Sequence, residues 1–217
     1  MKNADIVKIT SVILARGGSK AIPQKNIIDI NGNPLLYYTS TASINSNVDE
    51  TWVSTDCVKI KDVALNLGCR VIDRPKEISN DNSKSDEALV HFAKNIDFDI
   101  LVFIQPTSPL LRAEDINKGI EMMKDYDSVF SVYKEHWIPE WNLDGTPHHW
   151  DVSNRPMRQD VPETYVENGA FYITTKKALL DSGLRYSGKI GMTEMPKNRS
   201  FQIDTMEDLK LITKILK

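Results

Sequence analysis

The sequence predicts an α/β fold: a doubly wound, mostly parallel sheet of the Rossmann-like kind. Three observations predict it. Strand-like and helix-like segments alternate from Ile9 to Tyr133, as right-handed crossovers between parallel strands require. The runs Ile9 to Ala15 and Ile100 to Ile104 are short, apolar and β-branched-rich, as strands buried on both faces are. The first run ends at Gly17-Gly18, where open α/β sheets hold ligands at a strand's carboxyl end.

The elements follow in order. After the first strand, Pro34 to Ser46 reads as a helix, with Leu35, Leu36, Thr39 and Ala42 on one face and Pro suited to the first helical position. Thr51 to Thr55 is a second strand. Val58 to Leu67 is a helix stopped by Gly68, a residue that tolerates the left-handed cap. Arg70 to Ile72 is a third strand, and Ser85 to Asn95 a helix with Leu89, Phe92 and Ile96 to one side. Ile100 to Ile104 is the fourth strand. Ala113 to Lys124 is a helix with Ile116, Ile120 and Met123 at helical spacing, and Ser128 to Tyr133 is the fifth strand.

The rhythm then breaks. Glu135 to Val166 holds three tryptophans (Trp137, Trp141, Trp150) and four prolines without periodicity, and a loop of that length is usually functional. Strands are expected again at Gly169 to Thr174 and Ser200 to Ile203. Thr205 to Leu216 closes the chain as a helix, with Thr205 and Asp208 as a capping pair.

Composition bounds the function. The 217 residues suit one domain at roughly 100–200 residues each. With 41% hydrophobic and 26% charged residues the chain can bury a core, which excludes disorder as its main state. A net charge of −3, from 27 basic and 30 acidic residues, argues against duplex nucleic acid as a partner. No apolar run approaches the ~20 residues that span a bilayer. Met1 to Ala15 has Lys8 in its apolar stretch and no small-residue cleavage site, so no export signal is expected. Cys57 and Cys69 are too few for a disulfide scaffold and read as small hydrophobes. Together these predict a soluble protein in a reducing cytoplasm. The adjacent His148 and His149 do not suggest a zinc site.

The most informative stretch is Leu14-Ala15-Arg16-Gly17-Gly18-Ser19-Lys20-Ala21-Ile22-Pro23-Gln24-Lys25-Asn26. Glycines after a buried strand let backbone N–H groups approach an anion. Arg16, Lys20 and Lys25 add three positive charges, which suits a triphosphate. The alternative is a Gly-rich surface turn with solvated lysines. The stretch is neither a Walker loop nor a three-glycine dinucleotide fingerprint, so a nicotinamide-dependent dehydrogenase explains the cations poorly. Farther on, Gln105-Pro106-Thr107-Ser108-Pro109 follows the fourth strand as a stiff turn. Its amide and hydroxyls can bond a polyol, or it is a plain strand-to-helix turn. Asn168 and Tyr172 flank Gly169 at a strand start, where backbone can approach a ligand closely, or where an aromatic is simply buried. Asp204 is the best magnesium candidate, or it merely precedes the last helix near its dipole.

The glycine loop resembles the signature loop of the acylneuraminate cytidylyltransferases, the CMP-sialic acid synthetases. Val53-Ser54-Thr55-Asp56, Arg74-Pro75, Gln105 to Leu110, Arg155-Pro156-Met157-Arg158-Gln159-Asp160, Asn168-Gly169-Ala170-Phe171-Tyr172 and Ile203-Asp204-Thr205 follow in that family's order. The resemblance covers nearly the whole chain; octulosonate cytidylyltransferases carry a different first loop. It implies the nucleotide-diphospho-sugar transferase fold and transfer of CMP from CTP to the anomeric hydroxyl of a nonulosonic acid. Legionaminic- or pseudaminic-type acids are alternative substrates, and a binding relative with impaired catalysis is a further one. The resemblance makes Lys25 and Arg16 triphosphate contacts and Lys20 lies in the same loop, so Lys25, Arg16 and Lys20 are the candidate catalytic cations, with Lys25 at the α-phosphate. It places Leu14, Ala15, Arg16, Gly17, Asn26, Arg74 and Ser85 at the nucleotide. It places Gln105, Thr107, Ser108, Arg158, Gln159, Asn168 and Tyr172 at the sugar, and Asp204 at Mg2+. The family usually pairs two aspartates where this chain has Gln202 and Asp204. The irregular segment, approximately 135–166, resembles a dimerisation insertion, which implies a homodimer with shared sites.

Overall fold

A computed structural model describes residues 7–217; the start of the segment read for an export signal, residues 1–6, lies outside them. One seven-stranded sheet organises the chain. Its strands are β1 (Ile9–Leu14), β4 (Glu50–Thr55), β5 (Arg70–Asp73), β6 (Ile100–Ile104), β7 (Ser128–Glu135), β8 (Thr164–Thr175) and β9 (Ile190–Glu194). The two-residue strands β2 (Asp29–Ile30) and β3 (Asn33–Pro34) form a separate hairpin. The sheet order is β5-β4-β1-β6-β8-β7-β9, and only β8 runs against its neighbours. The mostly parallel expectation therefore holds.

Side chains alternate across the sheet, as period-2 geometry requires. Ile13, Val102, Ile104, Phe171 and Ile173 face one layer, with α1 (Leu35–Ile44), α2 (Val58–Asn66) and α4 (Ala113–Met122) packed on it. Val12, Leu101, Phe103 and Tyr172 face the other, under α3 (Ser85–Asn95) and α5 (Lys176–Ser182). Each fully buried Leu, Ile or Phe contributes on the order of 1.5–3 kcal/mol. A third cluster joins Ile22, Leu35, Leu110 and Ile203 to α6 (Met206–Ile215) through Leu209 and Ile212. Thr205 and Asp208 cap α6 reciprocally: Thr205 N–H reaches the Asp208 carboxylate at 2.8 Å, and Asp208 N–H reaches Thr205 Oγ1 at 3.2 Å.

Three expectations change. Ser200 to Ile203 is not a strand; Lys197–Arg199 is a 3-10 turn and the chain runs on as an irregular connection. The last strand is β9 instead. Gly191 hides it from strand patterning, yet a Cβ there would come within 2.9 Å of the Tyr126 ring. The irregular segment is also shorter, because β7 and β8 extend beyond the core and pair Tyr133 to Glu135 with Thr164 to Val166. Thr164, Tyr165 and Val166 are exposed, so no hydrophobic alternation announces that extension.

Candidate active site

The strand order places a switch point between β1 and β6. From β1 the chain passes to β4 and β5 on one side, then returns to β6 on the other. A crevice opens there at the carboxyl ends, where such sheets hold ligands. It is a cleft of about 470 Å³. The end of β1 supplies Leu14, the following loop supplies Arg16, Lys20, Lys25 and Asn26, and α3 presents Ser85 at its first turn. Phe103, Gln105 and Thr107 come from β6 and its turn, and Asp204 from the approach to α6.

Hydrogen bonds fix the loop. Ala15 N–H continues the ladder to Ser54 O at 3.0 Å. Gly17 N–H donates to Asp56 Oδ1 at 2.8 Å, so that group is engaged inside the loop. A Cβ on Gly17 would sit 2.9 Å from that of Cys57, which explains the glycine by packing. Gly17 lines a neighbouring depression with Asp56 and Cys57 rather than the cleft. Ala15 is wholly buried beneath it. Asn26 donates its amide to Arg16 O at 2.9 Å and braces the turn from within.

The three cations are preset by two acids. Asp81 bridges Arg16 at 3.0 Å and Lys20 at 2.7 Å; the Lys20 hydrogen bond is the main cause holding its carboxyl below the usual range. The Lys25 side chain is only 16% exposed, and Nζ donates to Ile203 O at 3.1 Å and Asp204 Oδ1 at 3.0 Å. Arg74 is buried outside the cleft lining. Its Nη2 donates to Ser54 O at 2.9 Å, its Nε has no partner among the described residues, and burial lowers its pKa. Arg74 is thus a guanidinium under β4, near Asp56 and Arg16.

A second depression of about 510 Å³ adjoins the first and shares Gln105 and Asp204 with it. Tyr133, Glu167, Asn168, Gln202 and Asp208 line it. Asn168 is spent on the fold: Oδ1 accepts from Ser131 Oγ at 2.6 Å and from Ala170 N–H at 3.1 Å, while Nδ2 donates to Ser200 Oγ at 2.9 Å. Its carbonyl takes the Gln202 amide N–H. Thr107 anchors the two segments, its carbonyl accepting Ile203 N–H at 2.9 Å.

Four expected sugar contacts lie elsewhere. Tyr172 is 3% exposed and lines neither lobe. Its ring stacks on Phe103 at 5.4 Å, and its hydroxyl donates to Glu167 Oε1. Burial, then the Glu167 carboxylate, raises the pKa of that phenol. Ser108 is buried, and its hydroxyl has no partner among the described residues. Arg158 and Gln159 sit on an exposed 3-10 turn, Arg158–Asp160, away from both lobes. Sequence reasoning missed Asp81 and Glu167. Asp81 meets cations some 60 residues earlier in the chain, and no local period reports that. Glu167 adjoins Asn168-Gly169, the one signal that marked the place. Asp208, read only as a cap, also lines the second lobe.

Among the described residues no three His, Cys, Asp or Glu side chains gather as a metal cluster. The donor set is the Asp204 carboxylate, one oxygen of which Lys25 holds, with the Gln202 carbonyl oxygen near Thr107 Oγ1 at 3.5 Å. One carboxylate and one amide oxygen fit a magnesium ion held mainly by substrate phosphates, not one held by the protein alone.

A family model described as cytidylyltransferase matches residues 10–217. N-acylneuraminate cytidylyltransferase B of Danio rerio is 40% identical over 204 residues, which is 89% of this chain and 48% of that protein. The chain thus spans about half the length of that relative. Pseudaminic acid cytidylyltransferase of Campylobacter jejuni is 31% identical over 221 residues, covering 94% of each chain. A CMP:2-keto-3-deoxy-manno-octonic acid synthetase solved with CTP superposes with a TM-score of 0.76 at 19% identity, covering 96% of this chain and 98% of that one. The last shows the shared fold.

Proposed function

The chain belongs to the cytidylyltransferase family, and from that premise we propose that it transfers CMP from CTP to the anomeric hydroxyl of a nonulosonic acid, with release of pyrophosphate. The observation that carries this is the pairing of the two lobes. One gathers Arg16, Lys20 and Lys25 at the switch point, and the other opens beside it across Gln105 and Asp204.

The first lobe is assigned to the nucleotide. Its cations and the amino end of α3 at Ser85 suit the triphosphate. The second lobe is assigned to the acid. Its anomeric hydroxyl gives up its proton to water while its oxygen forms a bond to the α-phosphorus and the bond to the pyrophosphate oxygen breaks. Negative charge grows on the leaving and non-bridging oxygens, and preset cations stabilise it without reorganising. Lys25 lines the first lobe and donates to Asp204, which both lobes share, and it is assigned the α-phosphate. Arg16 and Lys20 are assigned the leaving group. Gln105, on the shared wall, is assigned to the sugar. Asp204, with the Gln202 carbonyl beside it, would hold Mg2+, which neutralises triphosphate charge when bound.

The second lobe is lined by carboxylates from Glu167, Asp204 and Asp208 and, among the described residues, by no Lys or Arg. An acid sugar needs a cation for its own carboxylate. Arg155 and Arg158 stand exposed on the arm, among the exposed apolar side chains Ile138, Trp141, Leu143, Val152 and Met157. We assign this arm to contact with a second copy, whose Arg158 and Gln159 complete the lobe. Large exposed apolar patches mark such interfaces. No helix among the described residues is long and apolar enough to cross a membrane, and free Cys57 and Cys69 suit a reducing, CTP-containing cytoplasm.

The test is incubation with CTP, Mg2+ and a panel of N-acetylneuraminic, legionaminic and pseudaminic acids, reading pyrophosphate. Release with one of them is expected. CTP binding without release for any acid would instead favour a binding relative, with Gln202 as the lesion.

A further inference from the structure

β8 carries an irregularity whose consequence lies in the second lobe. Phe130 of β7 pairs with Tyr172, but Val132 pairs with Glu167. Ser131 alone therefore stands against Asn168, Gly169, Ala170 and Phe171. Glu167 and Tyr172 have opposite parity, so a regular strand would point them to opposite faces. The bulge cancels that. It is held on purpose: Ser131 Oγ bonds Asn168 Oδ1 at 2.6 Å and accepts Phe171 N–H at 3.0 Å, and Gly169 takes a φ of 68°. Bulges beside functional sites re-aim side chains, and this one brings the Glu167 carboxylate onto the Tyr172 hydroxyl.

We propose that Glu167 is a specificity residue that accepts a hydrogen bond from a hydroxyl or amide N–H of the acid sugar, and that Tyr172 is the positioning residue that aims it. Glu167 lines the second lobe at the surface, whereas Tyr172 lies in the core. The phenol is itself immobilised: it stacks on Phe103, and the Arg185 guanidinium lies 5.1 Å above its ring while pairing with Asp86 at 2.9 Å. Only Oε1 of Glu167 is used by Tyr172, which leaves Oε2 for a ligand. An ionised carboxylate accepts and never donates, and it repels the substrate's own carboxylate. Glu167 must therefore face the hydroxyl and acylamido edge of the sugar.

This rests on the functional reading above, and the experiment separates the two. Steady-state constants are measured for CTP and for whichever of N-acetylneuraminic, legionaminic or pseudaminic acid the wild type turns over. Glu167→Gln should raise KM for the acid about tenfold or more, since one oxygen of a charged acceptor is lost. KM for CTP should stay within about twofold. Tyr172→Phe keeps the ring stack and should shift the same constant by less. The double variant should be no worse than Glu167→Gln alone, because Tyr172 acts through it. Unchanged KM for the acid, or parallel shifts for both substrates, would overturn the proposal while leaving the function standing. A fall in Tm for Tyr172→Phe without the KM split would overturn the positioning role. A wild type that forms no CMP-sugar would overturn the functional reading and this inference with it.

Discussion

The two lobes differ in charge and in how they are made. The lobe assigned to the nucleotide is cationic and built from strand ends: Arg16, Lys20 and Lys25 follow β1, and Gln105 and Thr107 follow β6. The lobe assigned to the sugar is anionic and built from an irregular strand and an irregular connection: Glu167 and Asn168 from the β8 bulge, Gln202 and Asp204 from the chain before α6. A strand end has its position set by the whole sheet. A bulge has its position set by a few side chains, here Ser131, Asn168 and Gly169. The first lobe is thus a property of the fold, and the second is a property of particular residues. On the proposed reading, substrate choice can change in the second lobe without disturbing the nucleotide, as suits relatives named for different acids.

The hardest strain on that contrast is Lys25→Ala. Lys25 is assigned the charge at the α-phosphate, so turnover should fall on the order of 100-fold, about 2.7 kcal/mol of transition-state stabilisation. KM for the acid should hardly move, and circular dichroism should show an intact fold. A loss confined to KM for the acid, with turnover unchanged, would move Lys25 to the sugar lobe and break the contrast.

Gly169→Ala sharpens the other side. At φ 68° any L side chain is strained, and the new Cβ would come within 2.4 Å of the Gln202 amide nitrogen. The left-handed conformation costs about 1–2 kcal/mol for a residue other than glycine. Urea unfolding should show a stability loss of about that size. KM for the acid should rise while KM for CTP holds. Equal loss of both affinities would mean that the bulge supports the sheet rather than one lobe.

The same contrast explains what could be read in the sequence. The β1 run, its glycines and the cations after it are contiguous, so one stretch from Leu14 to Asn26 showed most of the nucleotide lobe. Periodicity found α1 to α4 and α6 but not α5, whose seven residues are too few to show a helical period, and Ser85 falls at a helix start as expected. The sugar lobe was legible only as the neighbourhood of Asn168 and Gln105. Its working groups depend on a register shift between β7 and β8, and register leaves no mark in one strand alone. Tyr172 shows the limit. A tyrosine two residues past an Asn-Gly-Ala turn reads as a pocket wall, yet the bulge turns it into the core and leaves its hydroxyl on Glu167. Asn168 likewise reads as a ligand contact, and its side chain is consumed holding the bulge. Arg158 and Gln159 belong to an arm whose packing needs more than one chain on the proposed reading, so a single chain leaves them in solvent.

Asp81 tests the nucleotide lobe from its weakest point. Among the described residues it is the one carboxylate that engages both Arg16 and Lys20, yet it comes from the turn before α3, not from a strand end. On the proposed reading the triphosphate needs those same two cations. Asp81 therefore competes with the nucleotide, and its carboxylate must leave or share them when CTP binds. Its pKa is depressed, chiefly by Lys20, so the pair persists as pH falls through the usual carboxylate value near 3.9 and is lost only below it. Competition is thus fully present at neutral pH. Asp81→Asn should tighten CTP binding by about two- to fivefold in calorimetry, the range of an exposed pair, and salt should narrow the gap between variant and wild type. KM for the acid should not change. If the variant binds CTP more weakly, Asp81 is holding the cations in place for the nucleotide instead. The lobe would then owe its charge geometry to a turn as much as to the sheet, and the distinction between the two lobes would shrink.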